Sequence, residues 1–190
     1  MRKFAIVLGL ILSLFIAGSA MADQSSEDML KVVAQILPNI AVDAGPDIRL
    51  AALQTGSVAG DLPFRIDANT QWILLTVYAS NLYKGNDPNS VYIIGLDSAV
   101  PAEISVVGGN PVPYPASFVE PVDVFSGFLG YCTEDIAIEN GDNGHFSQDL
   151  SIALSWLNED PELPMGDYSG WVKLIGAVLP GGPDNGATSN

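Results

Sequence analysis

Apolar and polar side chains alternate with a period of two in several segments of this sequence. Residues 149–156 show the pattern most clearly, residues 62–68 repeat it, and shorter runs occur at 104–106 and 136–138. Successive side chains of a β-strand point to opposite faces, so this period indicates half-buried strands and predicts an all-β chain. The side chains expected to share the core face of the longest strand are Leu150, Ile152, Leu154 and Trp156.

Three further segments are apolar at nearly every position: 72–78, 91–94 and 171–179. Strands of this kind lie centrally in a sandwich, or something else covers their outer face. If the second face of such a strand were exposed, it would indicate assembly with another molecule.

Turn-forming residues separate the predicted strands. Glycine, proline, asparagine and aspartate cluster at 44–47, 85–89, 108–111 and 140–144, and the proline-rich segment 111–121 is expected to be a loop or an irregular edge. Short strands with turns at regular intervals predict a single immunoglobulin-like β-sandwich of about seven to nine antiparallel strands.

The N-terminus has the three parts of a secretory signal peptide. Arg2 and Lys3 are basic, residues 4–17 are almost entirely apolar, and residues 20–22 form a small-x-small cleavage site. The apolar run is shorter than the roughly 20 residues that a membrane-spanning helix needs. We therefore expect residues 1–22 to be removed, leaving a secreted, periplasmic or cell-surface protein without a membrane span.

Acidic side chains dominate the charge. The chain has 22 acidic and 7 basic side chains and a formal charge of −15. Removal of residues 1–22 takes away Arg2 and Lys3, so 7 − 2 = 5 basic side chains remain and the charge becomes −17. Nucleic-acid phosphates are bound by Lys and Arg, so a nucleic-acid partner is not expected. Hydrophobic residues make up 48% of the chain, which is too many for a disordered protein.

The mature chain divides into three parts. Residues 23–43 are either an N-terminal arm or the first strand; a short helix over 25–37 is the competing interpretation, and an extended conformation is favoured for 31–43. Residues 44–180 form the sandwich. Residues 181–190 contain no apolar anchor and are expected to be a disordered tail.

Two elements resemble those of bacterial secreted β-sandwiches. Residues 61–69, DLPFRIDAN, followed by WILLTV at 72–77, are similar to their paired "F-x-V-x-A-N" and "W-x-L-x-V" strands. Residues 164–174, PMGDYSGWVKL, resemble their closing strand. The group is the immunoglobulin-like, pilin-like one that includes spore coat protein U-type and related fimbrial domains. The resemblance implies a structural subunit of a coat or fibre. Such domains often carry a disulfide, which a chain with the single Cys132 cannot form internally.

The sequence offers little for catalysis, so we expect no enzymatic activity. His145 is the only histidine and follows a glycine in a turn, close to Ser147 and Asp149. Residues so near on one turn rarely converge as a triad with an oxyanion hole. Cys132 is expected to be a small buried apolar residue.

Acidic loops raise the question of calcium, the one cofactor that the sequence suggests. Calcium binds six to eight oxygen ligands, and the best candidate ligands are Glu139, Asn140, Asp142 and Asn143. Their spacing differs from that of an EF-hand, and solvated turns in an acidic protein are the alternative. Carbohydrate binding by exposed aromatic rings would use Tyr83 and Tyr114, which are predicted to lie in loops.

Two functions remain open after these exclusions. The first is a structural subunit that assembles with itself or with related secreted subunits through strand edges, because sandwich edges must be covered or used. The second is a monomeric extracellular binding module with acidic calcium- or carbohydrate-binding loops. The side chains expected to support assembly are Val32, Val33, Ile36, Ile40 and Val42.

Overall fold

The architecture was determined from a computed structural model, which describes residues 34–107, 112–113, 118–139 and 144–179. The chain separates into two units, residues 1–36 and 37–190, and only residues 34–36 of the first are described. The predicted signal peptide 1–22 and tail 181–190 lie outside the described residues. Within the described ranges, no helix is long and apolar enough to cross a membrane.

The described residues form strands and no helix, which confirms the predicted all-β sandwich. The total exceeds the predicted seven to nine because six of the strands contain four residues or fewer, and only two of these six, at 103–106 and 136–139, showed alternation in the sequence. The strands are β1 (Ile40–Ala44), β2 (Gly56–Ala68), β3 (Trp72–Ser80), β4 (Leu82–Lys84), β5 (Ile93–Leu96), β6 (Glu103–Val106), β7 (Val112–Pro113), β8 (Val119–Phe125), β9 (Phe128–Cys132), β10 (Ile136–Glu139), β11 (Phe146–Asn158), β12 (Tyr168–Ser169) and β13 (Val172–Val178).

The first sheet is built on a long antiparallel ribbon. Strands β2 and β11 have 13 residues each and pair along their full length, from Gly56 with Asn158 to Ala68 with Phe146. Strand β1 pairs with β2 at one side of the ribbon. On the other side, β11 pairs with β6 and β5, and the sheet continues through β4 to β12.

The second sheet is built around β3. Strand β13 pairs with residues 73–79 of β3, while β10 pairs with residues 72–75. Because both partners share residues 73–75, they flank β3 on opposite sides. Strand β9 follows β10 along the same side of β3, and β8 pairs with β9.

The core lies between the two sheets and consists of the inward side chains of the alternating strands. The outward neighbours of these residues on β2 and β11 are mostly polar or small, with Pro63 and Leu157 as the exceptions. This burial confirms the period-two interpretation of residues 62–68 and 149–156. The largest fully buried apolar side chains are Phe146, Ile66, Ile73, Leu75, Leu150, Ile152, Val77 and Val124.

One predicted strand differs from the structure. Val91 is 82% exposed, and β5 begins only at Ile93, so a strand over the whole of 91–94 is wrong. The Ser90 hydroxyl accepts a hydrogen bond from the Tyr92 amide, so that this amide is not available to a neighbouring strand, although the Tyr92 carbonyl still accepts one from the Lys84 amide. The Tyr92 ring instead lies 5.3 Å from the ammonium group of Lys84.

The inward and outward positions of β11 predict very different responses to truncation. We expect Leu150→Ala to lower the free energy of unfolding by about 2–5 kcal/mol, because it leaves a cavity in a fully packed core. Ser151→Ala, one residue along on the outer face, should change it by less than about 0.5 kcal/mol. Urea denaturation of both variants tests this, and similar costs would contradict the assignment of the two faces.

Candidate functional site: a groove at the seam of the sandwich

The edges of the two sheets meet along one side of the molecule. Strand β1 ends the first sheet, and β13 has β3 as its only strand partner among the described residues. The two strands touch at Gly176, where an added Cβ would lie 2.8 Å from Ile40 Cδ1 and 3.0 Å from Val42 Cγ2. Gly176 therefore allows the two edges to approach closely at this seam.

One wall above the seam is the segment 46–53, which follows β1. The segment packs on β2 at Gly60, where an added Cβ would lie 2.5 Å from Leu50 Cδ2 and 2.8 Å from Ile48 Cδ1. Hydrogen bonds hold the residues at its two ends, where the Gly45 amide donates to Pro63 O and the Asn158 side chain donates to Gln54 O. Residues 46–53 themselves form no backbone hydrogen bond with any other described residue, so their backbone groups remain available.

The facing wall is the segment 166–172, which leads into β13. Gly166 has a φ of 147°, which favours glycine, and Tyr168 pairs with Lys84. Gly170 allows close approach, because an added Cβ would lie 2.5 Å from Asn81 O. Trp171 accepts a hydrogen bond from the Ser80 amide and donates one to the Ser80 hydroxyl. These partners lie on β3 and β4, and no backbone group among the described residues is paired with the other edge of the wall.

Between the walls lies a groove with an apolar floor and walls that carry both polar and apolar side chains, here called the seam groove. It comprises a cavity of about 880 Å³ and a second of about 220 Å³. The two cavities adjoin because both are lined by Ala44, Phe64, Trp171 and Val172. The buried floor of the larger cavity consists of Phe64, Leu82, Ile94 and Trp156.

A single ion pair joins the two walls. The guanidinium of Arg49 lies 3.9 Å from the carboxylate of Asp167, and both side chains are almost fully exposed. An exposed pair at this distance contributes little to stability, because water and salt screen it. The Arg49–Asp167 pair therefore does not close the groove to solvent.

Aromatic rings surround the smaller cavity. The rings of Phe125 and Trp171 have centroids 4.5 Å apart and are inclined at 42°, and Phe128 lies edge-on to Trp171. Inclined rings do not form a flat platform for a sugar. Tyr83 was expected to be an exposed ring, and this is wrong: it is buried in β4 with its hydroxyl donating to Leu129 O. Tyr114 lies outside the described residues.

The segment before β1 exposes apolar side chains. Ile36 is 84% and Leu37 70% exposed. Asn69 holds the end of this segment: its side-chain oxygen accepts from the Asn39 amide at 2.6 Å, and its side-chain nitrogen donates to Leu37 O at 2.9 Å. The chain therefore leaves the sandwich at the turn between β2 and β3.

The residues predicted to support assembly separate into three groups. Val32 and Val33 lie outside the described residues. Ile36 is exposed before β1. Ile40 and Val42 belong to β1, where they oppose Ala68 and Ile66 of the same chain and pack against the core.

Of the four candidate calcium ligands, only Glu139 lies among the described residues. Glu139 ends β10 and its carboxylate accepts a hydrogen bond of 2.7 Å from Gln71. Asn140, Asp142 and Asn143 lie outside the described residues. In the part of the chain that the structure describes, no group of three or more His, Cys, Asp or Glu residues could hold a metal ion.

Ser147 and Asp149, the neighbours of His145, join an ion-pair network on the outer face of the first sheet. The Arg65 guanidinium binds both oxygens of Asp67 at 3.0 Å and one oxygen of Asp149 at 2.9 Å. The Ser147 hydroxyl accepts from Arg65 and donates to Asp67. The network ties β2 to β11, which is a structural use of these side chains.

This network shifts the pKa values of its members. The hydrogen bond from Ser147 and those from Arg65 lower the pKa of the Asp67 carboxyl. The hydrogen bond to Asp149 and those to Asp67 raise the pKa of Arg65. Asp67 is thus held in its charged form.

Sequence reasoning missed the two walls of the seam groove. Segment 46–53 shows neither helical nor strand periodicity, and its role depends on contacts with β2 that are distant in sequence. The only available signals were the Gly45-Pro46 turn and the apolar residues Ile48, Leu50 and Leu53. The second wall was noticed only as a closing strand, without its relation to the first.

The lowered pKa of Asp67 predicts a pH-dependent contribution to stability. A carboxyl whose pKa is lower in the folded state stabilises the fold above its unfolded pKa of about 3.9, and this contribution is lost as the pH falls through the folded value. We therefore expect Asp67→Asn to destabilise the protein at pH 7 and to have little effect near pH 2.

Thermal denaturation across this pH range measures the difference between Asp67→Asn and the parent. Asp61→Asn is the matched control, since Asp61 lies on the same face of β2 and forms no ion pair with the described residues. A difference that stays constant from pH 7 to pH 2 would contradict the assignment.

Comparison with known proteins identifies no relative from which a function could be inferred. No protein-family model matches the sequence, and no curated protein is significantly similar to it. The likeness to spore coat protein U-type and fimbrial domains therefore remains an expectation from the motifs.

Proposed function

We propose that the mature chain is a secreted structural subunit that assembles with other copies by strand addition. Residues 24–36 of one copy lie extended in the seam groove of the next. In strand addition, backbone hydrogen bonds along an open edge provide affinity, and pockets below take alternate side chains. Two observations carry the proposal. The seam groove has backbone groups without partners among the described residues and an apolar floor, and the segment before β1 exposes apolar side chains.

The acceptor side of this contact is the seam groove. Segment 46–53 supplies backbone groups without partners among the described residues, and the opposite wall has one open edge. The floor is apolar, so an entering strand with apolar side chains at alternate positions would remove apolar surface from water. The exposed Arg49–Asp167 pair is a small obstacle to entry.

The donor side is the segment before β1. Its sequence places Val32, Ala34 and Ile36 at alternate positions, as a strand needs for one apolar face. At about 3.3 Å per residue, residues 24–36 are long enough to run along the seven-residue wall 166–172. Ile40 and Val42 are not part of the donor, since they complete the subunit's own sheet.

The direction of the chain favours the groove of a neighbour. Segment 46–53 follows the C-terminal end of β1, whereas the arm leaves at its N-terminal end beside Asn69. Residues 34–39 contain no turn. To occupy its own groove, the arm would have to reverse and run back along β1. A second copy avoids that reversal.

Secretion enters the proposal through residues 1–22, which have the pattern of a signal peptide. The proposal contains no catalytic step. A monomeric binding module is less well supported, because the described candidate ligand Glu139 is engaged by Gln71 and the exposed rings are inclined to each other.

Substitution within the arm tests the proposal without disturbing the fold. We expect Ile36→Asp in mature residues 23–190 to reduce assembly at least about tenfold, because a carboxylate would have to be buried against the apolar floor of the groove. Size-exclusion chromatography with light scattering gives the mass as a function of concentration.

The matched control is Gln35→Asp, which adds the same charge one position away, on the other face of an extended arm. It should retain assembly. Equal masses for the parent and both variants, with the parent assembled or monomeric, would contradict strand addition by this arm.

A further inference from the structure

The outer face of the second sheet carries an unusual set of side chains. The side chains of Ile73, Leu75, Val77 and Ala79 are fully buried in the core, so the alternate residues of β3 point outward. The register places Ala177 and Ala137 on either side of Leu74, and Ile175 beside Thr76. We call this surface the outer patch, and its apolar and aromatic members are Trp72, Leu74, Tyr78, Ala137, Ile175 and Ala177.

The outer patch is open to solvent. Ile175 is 44% exposed, Ala137 and Ala177 are exposed, and the three residues of β3 are half-buried. The outer face of the first sheet is different in kind. Its ribbon presents mainly charged and small polar side chains, namely Asp61, Arg65, Asp67, Ser147, Asp149, Ser151 and Ser155, with Ala59, Pro63, Ala153 and Leu157 between them.

Opposite charges flank the outer patch. Lys173 lies on the β13 side, with its ammonium group 4.6 Å from the centroid of the Tyr78 ring. On the β10 side, the Asp135 carboxylate accepts a hydrogen bond of 2.6 Å from Thr76. Glu139 lies further along the same side. The patch thus has a basic edge and an acidic edge, with β3 between them.

We propose that the outer patch is a docking surface for a second copy of this chain. A two-fold axis parallel to β3 places β13 of one copy over the β10 edge of its partner. Lys173 lies beside Tyr78 and Asp135 beside Thr76, so the two residues are offset by only two positions along β3. In this arrangement the long side chain of Lys173 in each copy can reach Asp135 of the other. Such a contact is self-complementary, as closed dimers require, and two sheets stack face to face in the same way inside sandwiches.

Charge favours a second copy as the occupant of this face. A mature chain of charge −17 repels its own kind over most of its surface. The outer patch is apolar at its centre and pairs opposite charges across the axis, so two copies can approach there without opposing like charges. This contact is independent of the arm and the seam groove, and it joins subunits face to face.

The experiment uses the mature chain carrying Ile36→Asp, so that strand addition does not contribute to the mass. Sedimentation velocity over a range of concentrations measures the dimer dissociation constant. We expect Ile175→Asp to weaken the dimer at least about tenfold, because it places a carboxylate in the apolar centre. Ser151→Asp is the matched control, since it adds the same charge to a mid-strand position on the outer face of the other sheet.

A charge exchange tests the two-fold arrangement itself. Lys173→Glu should weaken the dimer, and Lys173→Glu combined with Asp135→Lys should restore it, because the opposed charges are then only interchanged. A parent that stays monomeric at the highest reachable concentration overturns the proposal. So does a dimer that Ile175→Asp leaves intact, or one that the double exchange fails to restore.

Discussion

The pairing of β2 with β11 is the constraint on which the rest of this structure depends. Thirteen residues of each strand are in continuous register, so one set of alternate side chains faces the core along the whole ribbon. At the Val58–Leu62 end, the segment 46–53 covers the inner face in place of a paired strand. The seam groove therefore follows from the length of the ribbon: its end must be covered, and a segment without backbone partners covers it.

Long alternating strands could be predicted from the sequence, because the position of a residue along a strand, odd or even, decides which face of the sheet its side chain is on. Residues 62–68 and 149–156 illustrate this, because every second side chain is buried apart from Leu62, which is partly buried against the core. Short elements could not be predicted in the same way. Strand β12 has two residues, and it exists because Tyr168 and Ser169 meet Lys84 and Tyr83 across the sheet. The burial of Tyr83 has the same origin, since its partners Leu129 and Phe128 lie on a distant hairpin.

The candidate site was predictable only in its donor half. Apolar residues ahead of the first strand are visible in the sequence, and the exposure of Ile36 agrees with them. The acceptor half depends on two segments more than a hundred residues apart, 46–53 and 166–172, and no local pattern relates them. Residues 40–42 could not be assigned to arm or strand from composition, because the same apolar side chains suit either; only the register with β2 distinguishes them.

Strand β13 connects the two proposed contacts. An edge strand with one face in the core ordinarily presents polar side chains on the other and protects its open edge. In β13, Val172 and Leu174 face inward and line the groove, while Ile175 and Ala177 face solvent. Packing within a single chain explains why Val172 and Leu174 are apolar. It does not explain why Ile175 and Ala177 are apolar, or why β13 has β3 as its only strand partner among the described residues. The two contacts proposed above would account for both, and the high negative charge would disfavour association through the rest of the surface.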